Sequence, residues 1–329
     1  MYDNKFHNED LSKFRFLITG GAGFIGSNLV EYLLKYKAGK VRVLDNFLTG
    51  YHHNIAAFIN NPSFELIEGD IRDIEICKKA LADIDYVSHQ AALGSVPRSI
   101  NDPITTNEIN ISGFLNMLCA IKDNGGIKRF VYAASSSTYG SSPELPKIEE
   151  RIGKPLSPYA VTKYVNELYA DVFSRTYGLE TIGLRYFNIF GPKQSPDNEY
   201  AAVIPKFIRA AKSGNTPVIN GDGEQTRDFT FVENAVQANI KAFFAENIVP
   251  GSNVYNIACG DQITLNQLWK EIKEILGIQI NPVYGESRKG DIWHSLANID
   301  SAGKVLGYKP LIRFEEGIRT TISFFNNDY

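Results

Sequence analysis

The chain reads as an α/β protein in which a doubly wound parallel sheet is followed by a smaller mixed α/β lobe. Three observations predict this. Short apolar runs alternate with helical patterns from residue 14 to about 187, the rhythm of parallel strands joined by crossover helices. A glycine-rich turn, Gly20-Gly21-Ala22-Gly23-Phe24-Ile25-Gly26, joins the first strand to the first helix. The rhythm breaks after Asn188-Ile189-Phe190-Gly191-Pro192, where polar loops and isolated helices take over. The expected division is one unit over residues 1–187, completed by a segment near 230–260, and a second lobe interleaved with it over 188–329.

Residues 14–19 form a largely apolar strand, and residues 27–36 carry a helical pattern. Between them Gly21, Gly23 and Gly26 fit G-x-G-x-x-G, while Gly20, Gly23 and Gly26 fit the related G-x-x-G-x-x-G spacing. Missing side chains permit the tight turn, the approach of backbone N–H groups to a pyrophosphate and close strand–helix packing. The strand-then-helix setting gives the motif its weight. A second strand, residues 40–44, ends at Asp45, 19 residues beyond Gly26. An acid there accepts hydrogen bonds from a ribose and repels a 2′-phosphate, which predicts NAD rather than NADP.

The third strand, residues 64–68, leads into Gly69-Asp70-Ile71-Arg72-Asp73, with Asp70 and Ile71 at the strand edge beside an adenine. A helix over 74–82 follows, then a fourth strand over 85–90 that ends in the small residues Ala91 and Ala92, where a cofactor would cross the sheet. His89 in that strand reads as a packed or cofactor-side residue rather than a catalyst. A long helical region, residues 104–122, carries Asn107 and Asn110, either suited to hydrogen-bond a neighbouring loop. The fifth strand, residues 129–134, ends in Ser135-Ser136-Ser137-Thr138-Tyr139-Gly140. Ligands on such sheets bind at the carboxyl ends of strands, and these candidates all fall there.

Ser157-Pro158-Tyr159-Ala160-Val161-Thr162-Lys163 reads as a helix start, with Ser157 as N-cap and Pro158 at the first helical position. Tyr159 and Lys163 then share one helical face. A phenol of pKa about 10 is a poor base at neutrality, and a nearby ammonium favours its phenolate. The pair can take a proton from a sugar hydroxyl. In the second lobe, residues 201–212, 265–276 and 301–306 read as helices, the last two as amphipathic covers. Two turn-rich stretches carry Arg227 and Arg288, and paired guanidiniums suit a diphosphate.

The 329 residues are 43% hydrophobic and 22% charged, enough for a sizeable core. A net charge of −3 gives no reason to expect nucleic acid or an anionic membrane as partner. Cys77, Cys119 and Cys259 are far apart, match no metal spacing and fit a reducing compartment. The polar opening segment lacks a signal-peptide pattern, and no apolar run reaches the roughly 20 residues of a spanning helix. A cytoplasmic protein without a metal is expected.

The ordered set of these motifs, together with Leu184-Arg185-Tyr186-Phe187-Asn188, resembles the extended short-chain dehydrogenase/reductases, whose sheet is of the Rossmann type. Within them it looks most like the nucleotide-sugar 4-epimerases, closest to the UDP-N-acetylglucosamine 4-epimerases. The resemblance implies reversible inversion at C4 of a UDP-hexose through a transient 4-keto sugar, with NAD oxidising and then reducing the same carbon. It implies Tyr159, Lys163, Ser135 and Ser136 as the catalytic set. It assigns Gly20, Gly23, Phe24, Ile25, Gly26, Asp45, Asn46, Asp70, Ile71, Gln90, Ala91, Ala92, Tyr159, Lys163 and Tyr186 to the cofactor. The substrate falls to Ser95, Ser135, Ser136, Ser137, Tyr159, Asn188, Ala202, Val203, Lys206, Arg227, Arg288, Asp291 and Ser295, the small Ser295 admitting an N-acetyl group at C2. Asn298 stands where the family usually carries Asp. The related 4,6-dehydratases follow their Ser/Thr with an acidic pair, whereas Ser136 and Ser137 stand here, which favours epimerisation. A UDP-glucuronate 4-epimerase or decarboxylase, a net oxidoreductase and a non-catalytic NAD sensor are the competing readings. A homodimer through the helices near 104–122 and 158–177 is also implied.

Overall fold

A computed structural model describes residues 1–196, 201–286 and 293–328. The first half is built of β1 (Arg15–Thr19), α1 (Phe24–Lys35), β2 (Lys40–Asp45), β3 (Phe64–Glu68), α2 (Ile74–Ala80), β4 (Tyr86–His89), α3 (Val96–Asn101), α4 (Pro103–Asn107), α5 (Phe114–Asn124), β5 (Arg129–Ser135), α6 (Pro158–Tyr177) and β6 (Thr181–Tyr186). These strands pair in parallel throughout, in the order β6-β5-β4-β1-β2-β3. Because β1 pairs β2 on one side and β4 on the other, the winding reverses at β1. A crevice opens at the carboxyl ends of strands where winding reverses.

The alternation of side chains along β1 explains the layers. Phe16 and Ile18 pack on one face with Leu29, Val30 and Leu33 of α1, whereas Leu17 packs on the other with Val87, Phe130, Met117 and Leu118. Both faces are thus covered, as a parallel sheet requires. Ser157 caps α6 by accepting the Ala160 N–H at 3.1 Å, Pro158 fills the first turn, and Gly178 ends the helix at φ 71°.

One expected element is corrected. The helical region over 104–122 is not continuous, because a π-helical turn, Glu108–Gly113, separates α4 from α5. Such turns carry an extra residue and re-aim side chains. Here the turn sets Asn110 inward, where its amide takes both polar groups of the Leu93 backbone, at 2.8 and 3.1 Å. Asn110 also donates to Thr162 Oγ1 at 3.1 Å, and Asn166 donates to the Asn110 carbonyl at 2.7 Å. The loop leaving β4 is thereby tied to α6.

Beyond β6 the chain runs through β7 (Ile189–Phe190), α7 (Val203–Lys212), β8 (Val218–Asn220), β9 (Thr226–Arg227) and β10 (Thr230–Phe231). Then α8 (Val232–Phe244) and β11 (Val254–Ile257) return to the large sheet, with β11 parallel to β6 at its edge. β12 (Ile263–Thr264), α9 (Leu265–Leu276), β13 (Val283–Gly285), α10 (Asp300–Leu306) and α11 (Phe314–Asp328) complete the second lobe. Its strands form only two-stranded ladders, β7 with β10, β9 with β12 and β8 with β13. Its own core gathers Phe190, Phe207, Ile219, Phe231, Trp269 and Ile318. Among the described residues no helix is long and apolar enough to cross a membrane.

Candidate active site

Every residue assigned to the cofactor lines one cleft of about 380 Å³ at the β1/β4 crevice. Its floor is backbone. Gly20 adopts φ 67°, and a Cβ there would lie 2.7 Å from the Ala91 nitrogen. A Cβ on Gly26 would lie 2.2 Å from the Gly20 carbonyl oxygen, closer than any real contact. The N-terminus of α1 carries no side-chain cap, so its first N–H groups face the cleft and suit a pyrophosphate.

At one end Asp45 accepts the Ala22 and Phe47 N–H groups, each at 2.9 Å. Burial raises its pKa and these bonds oppose the rise. A carboxylate fixed in this way accepts ribose hydroxyls and leaves no room for a phosphate. Asp70 is gripped by Arg72 at 2.8 Å and by Asn46 at 2.8 Å, and Arg72 foremost holds its pKa down at about 2. Gly50 also lines this end, with a missing side chain that would meet the Asp45 carboxylate. Sequence reading passed over it, although a glycine five residues after the strand-end acid was the available signal. The cradle fits a dinucleotide, and NAD is the cofactor.

At the other end Ser135, Tyr159 and Lys163 converge from the end of β5 and the first turns of α6. Ser135 lines the cleft beside Tyr159 and accepts a hydrogen bond from the Ser137 hydroxyl at 2.9 Å. Ser136 opens the 3-10 turn that follows β5. Lys163 donates to the Ala133 carbonyl at 2.8 Å, its nitrogen 6.0 Å from the centre of the Tyr159 ring.

The electrostatics differ from the sequence expectation. Burial raises the Tyr159 pKa, and the Ser135 hydrogen bond opposes it. Lys163 directs its ammonium to the Ala133 carbonyl rather than to the phenol oxygen. Burial also pushes its own pKa down to about 8. The positive ring of oxidised NAD, when bound, would add a second cation that favours a phenolate there. His89 is packed, as expected. Its Nδ1 meets Thr19 Oγ1 at 2.9 Å, its ring meets the Phe114 edge, and burial pushes its pKa down to about 3.

A second cleft, of about 640 Å³, is lined by Asn188, Ala202, Val203, Lys206 and Arg227, together with Phe229 and Asn220. Its architecture depends on Asp228. That fully buried carboxylate accepts N–H bonds from Cys259 at 2.9 Å, Gly260 at 3.1 Å and Ala297 at 3.2 Å. Burial raises its pKa to about 6. The Asn188 side chain donates to the Asp228 carbonyl at 3.3 Å, and the Ser295 N–H to the Thr226 carbonyl at 3.2 Å. Ser295 is therefore brought beside Arg227. Arg288 and Asp291 lie outside the described residues.

A third cavity joins the two. It shares Phe24 and Gly94 with the cofactor cleft and Gln194, Ala201 and Ala202 with the other. Ser95 borders it, holding φ 99° as the N-cap of α3, and so does Arg98. Sequence reading did not mark Arg98 or Gln194, since neither sits in a motif.

The NAD-dependent epimerase/dehydratase family matches residues 16–258 of the chain. A UDP-glucose 4-epimerase of Mycolicibacterium smegmatis is 34% identical, over 95% of this chain and 99% of that one. A solved UDP-N-acetylglucosamine 4-epimerase from Methanobrevibacter ruminantium M1, in complex with UDP-N-acetylmuramic acid, superposes with a TM-score of 0.90. It is 40% identical, covering 96% of this chain and 99% of that one. A UDP-glucuronic acid 4-epimerase from Bacillus cereus, in complex with UDP-glucuronic acid and NAD, superposes with a TM-score of 0.89 at 29% identity. The match covers 96% of this chain and 100% of that one.

Proposed function

The chain belongs to the NAD-dependent epimerase/dehydratase family, and on that premise we propose that it inverts C4 of a UDP-hexose, with UDP-N-acetylglucosamine and UDP-N-acetylgalactosamine as the substrate pair. The observation that carries this reading is a convergence. Ser135, Tyr159 and Lys163 line the end of the cofactor cleft, and a further cavity shares lining residues with that cleft and with the one that Arg227 borders.

NAD, when bound, supplies the two-electron acceptor through which C4 passes to a ketone and back. Tyr159 as phenolate takes the 4-hydroxyl proton and later returns it, with the Ser135 hydroxyl beside it to guide the proton. Lys163 holds positive charge below the ring, and Ser136 and Ser137 offer short hydroxyls that let the sugar turn. Arg227, Lys206 and Arg288 grip the diphosphate, while Asn188, Ala202, Val203 and Asp291 seat the uridine. A tight nucleotide and a loose hexose allow both faces of C4 to be presented. Ser95 and Ser295 flank the sugar, and the small Ser295 supports the N-acetylated pair, as does the 40% identical relative of that name.

One observation favours a second reading. Arg98 borders the connecting cavity, where a uronate carboxylate would find a cation, and a UDP-glucuronic acid 4-epimerase is among the structural relatives. Separate incubations with UDP-N-acetylglucosamine, UDP-glucose and UDP-glucuronate, resolved by NMR, decide between them. Conversion of UDP-N-acetylglucosamine to its C4 epimer, with no net change in nicotinamide absorbance, is expected. Exclusive conversion of the uronate overturns the substrate assignment.

The exposed apolar residues Val161, Leu168 and Val172 form one stripe of α6, beside Ile100 and Ile104. They support a homodimer through this face, which light scattering tests.

A further inference from the structure

The wall of the cofactor cleft opposite Lys163 holds a polar cluster that the mechanism above does not use. It joins Ser88 and Gln90 at the end of β4, Tyr186 at the end of β6, and Asn239 from α8, which crosses beneath the sheet. Ser88 and Asn239 are fully buried and Tyr186 nearly so, while Gln90 is half-buried on the cleft wall.

The hydrogen bonds of this cluster fix its polarity one step at a time. The Ala235 carbonyl can only accept, and Asn239 Nδ2 lies 2.8 Å from it, so the nitrogen of the Asn239 amide must be on that side. The same nitrogen donates to the Tyr186 hydroxyl oxygen at 2.7 Å. Asn239 Oδ1 is therefore turned toward Ser88, whose hydroxyl donates to it at 2.9 Å, and toward Gln90 at 3.2 Å. An acceptor there requires the nitrogen end of the Gln90 amide. That nitrogen also lies 2.9 Å from Ser88 Oγ and 3.2 Å from the Tyr186 hydroxyl. With the nitrogen end turned into the cluster, the Gln90 carbonyl oxygen is left on the cleft side. Among the described residues nothing donates to it, and it is not a buried unpaired atom.

We propose that Asn239, with Ser88 and Tyr186, is a positioning residue that fixes the Gln90 amide. The carbonyl of Gln90 then accepts a hydrogen bond from the nicotinamide half of NAD, from a ribose hydroxyl or the carboxamide N–H. The three residues do not touch the cofactor through this device. They act by denying Gln90 its alternative orientation, which would set its N–H groups against those same donors. A buried network of mutual hydrogen bonds is rigid enough for that task. The inference rests on NAD as cofactor and is independent of which sugar the enzyme takes.

A double-mutant cycle read by NAD binding tests it, using the full-length chain freed of carried-through cofactor. Gln90→Ala and Asn239→Ala should each weaken NAD by roughly five- to tenfold, the worth of one hydrogen bond. The double variant should lose no more than Gln90→Ala alone, because Asn239 acts only through Gln90. UDP affinity, measured in the same samples, should stay unchanged and shows that each variant is folded. Unchanged NAD affinity in Asn239→Ala, or losses that multiply in the double variant, overturns the proposal. If Asn239→Ala does not fold, Ser88→Ala replaces it in the cycle under the same criteria. Repeating the titration with the cofactor analogue that carries a carboxylate for its carboxamide identifies the donor. A Gln90→Ala loss confined to NAD assigns the carboxamide N–H, and an equal loss for both assigns a ribose hydroxyl.

Discussion

The cofactor cleft is made of strand ends and bare glycine backbone from consecutive βα units. The cleft of the second lobe is assembled from two-stranded ladders two or three residues long, with one buried carboxylate, Asp228, holding their loops. The first has its shape wherever the sheet folds, because β1, β2 and β4 already pair along their lengths. The second depends on Asp228 reaching Cys259, Gly260 and Ala297, between 31 and 69 residues away. The cofactor cleft and the cleft proposed for the nucleotide sugar thus differ in how their parts are held.

Three substitutions break or sharpen that contrast. Gly26→Ala places a Cβ against the Gly20 carbonyl, where only backbone movement can make room. NAD affinity should fall roughly a hundredfold, an overpacking cost of about 3 kcal/mol. UDP affinity by calorimetry should be unaffected, and a parallel loss of both would show that the two clefts are not independent. Arg227→Met works in the opposite direction. It should weaken UDP by roughly tenfold or more, the worth of a charge-assisted hydrogen bond, with NAD retained.

Lys163→Met has the least intuitive effect, on stability rather than on affinity. Lys163 is 4% exposed, and its folded pKa of about 8 lies below its unfolded value of about 10.4. The folded state therefore binds fewer protons. The penalty for the buried charge is complete below pH 8 and vanishes as pH rises toward the unfolded value. Thermal denaturation at neutral pH should show the variant more stable by up to about 3 kcal/mol, since a tenfold difference in proton affinity is worth about 1.4 kcal/mol. The gain should shrink as pH rises from 8 to 10. A destabilised variant would mean that the Lys163–Ala133 hydrogen bond outweighs the buried charge.

The same contrast explains what could be read from the sequence. Gly20, Gly23, Gly26 and Asp45 follow a strand–turn–helix–strand order in which local spacing fixes position, so their place in the cleft at the strand ends was legible. Tyr159 and Lys163 were legible as a pair because four residues make one helical face. The direction of the Lys163 ammonium was not, since it depends on the Ala133 carbonyl of a neighbouring strand. The π-helical turn at Glu108–Gly113 left no mark, because apolar periodicity does not reveal one inserted residue. In the second lobe α8 and α11 went unread, and the strands are too short to show a period of two. Asp228 carried no signal in the sequence, because its partners are 31 to 69 residues away. Asn239 was silent for the same reason.

The central claim is that Tyr159 carries the substrate proton beside NAD. Tyr159→Phe, assayed by NMR for C4 inversion of UDP-N-acetylglucosamine with NAD and UDP affinities measured on the same protein, tests it most directly. The account predicts turnover lower by roughly a thousandfold, within the range of general acid–base catalysis, with both affinities within twofold of the parent. Turnover within tenfold of the parent would contradict it.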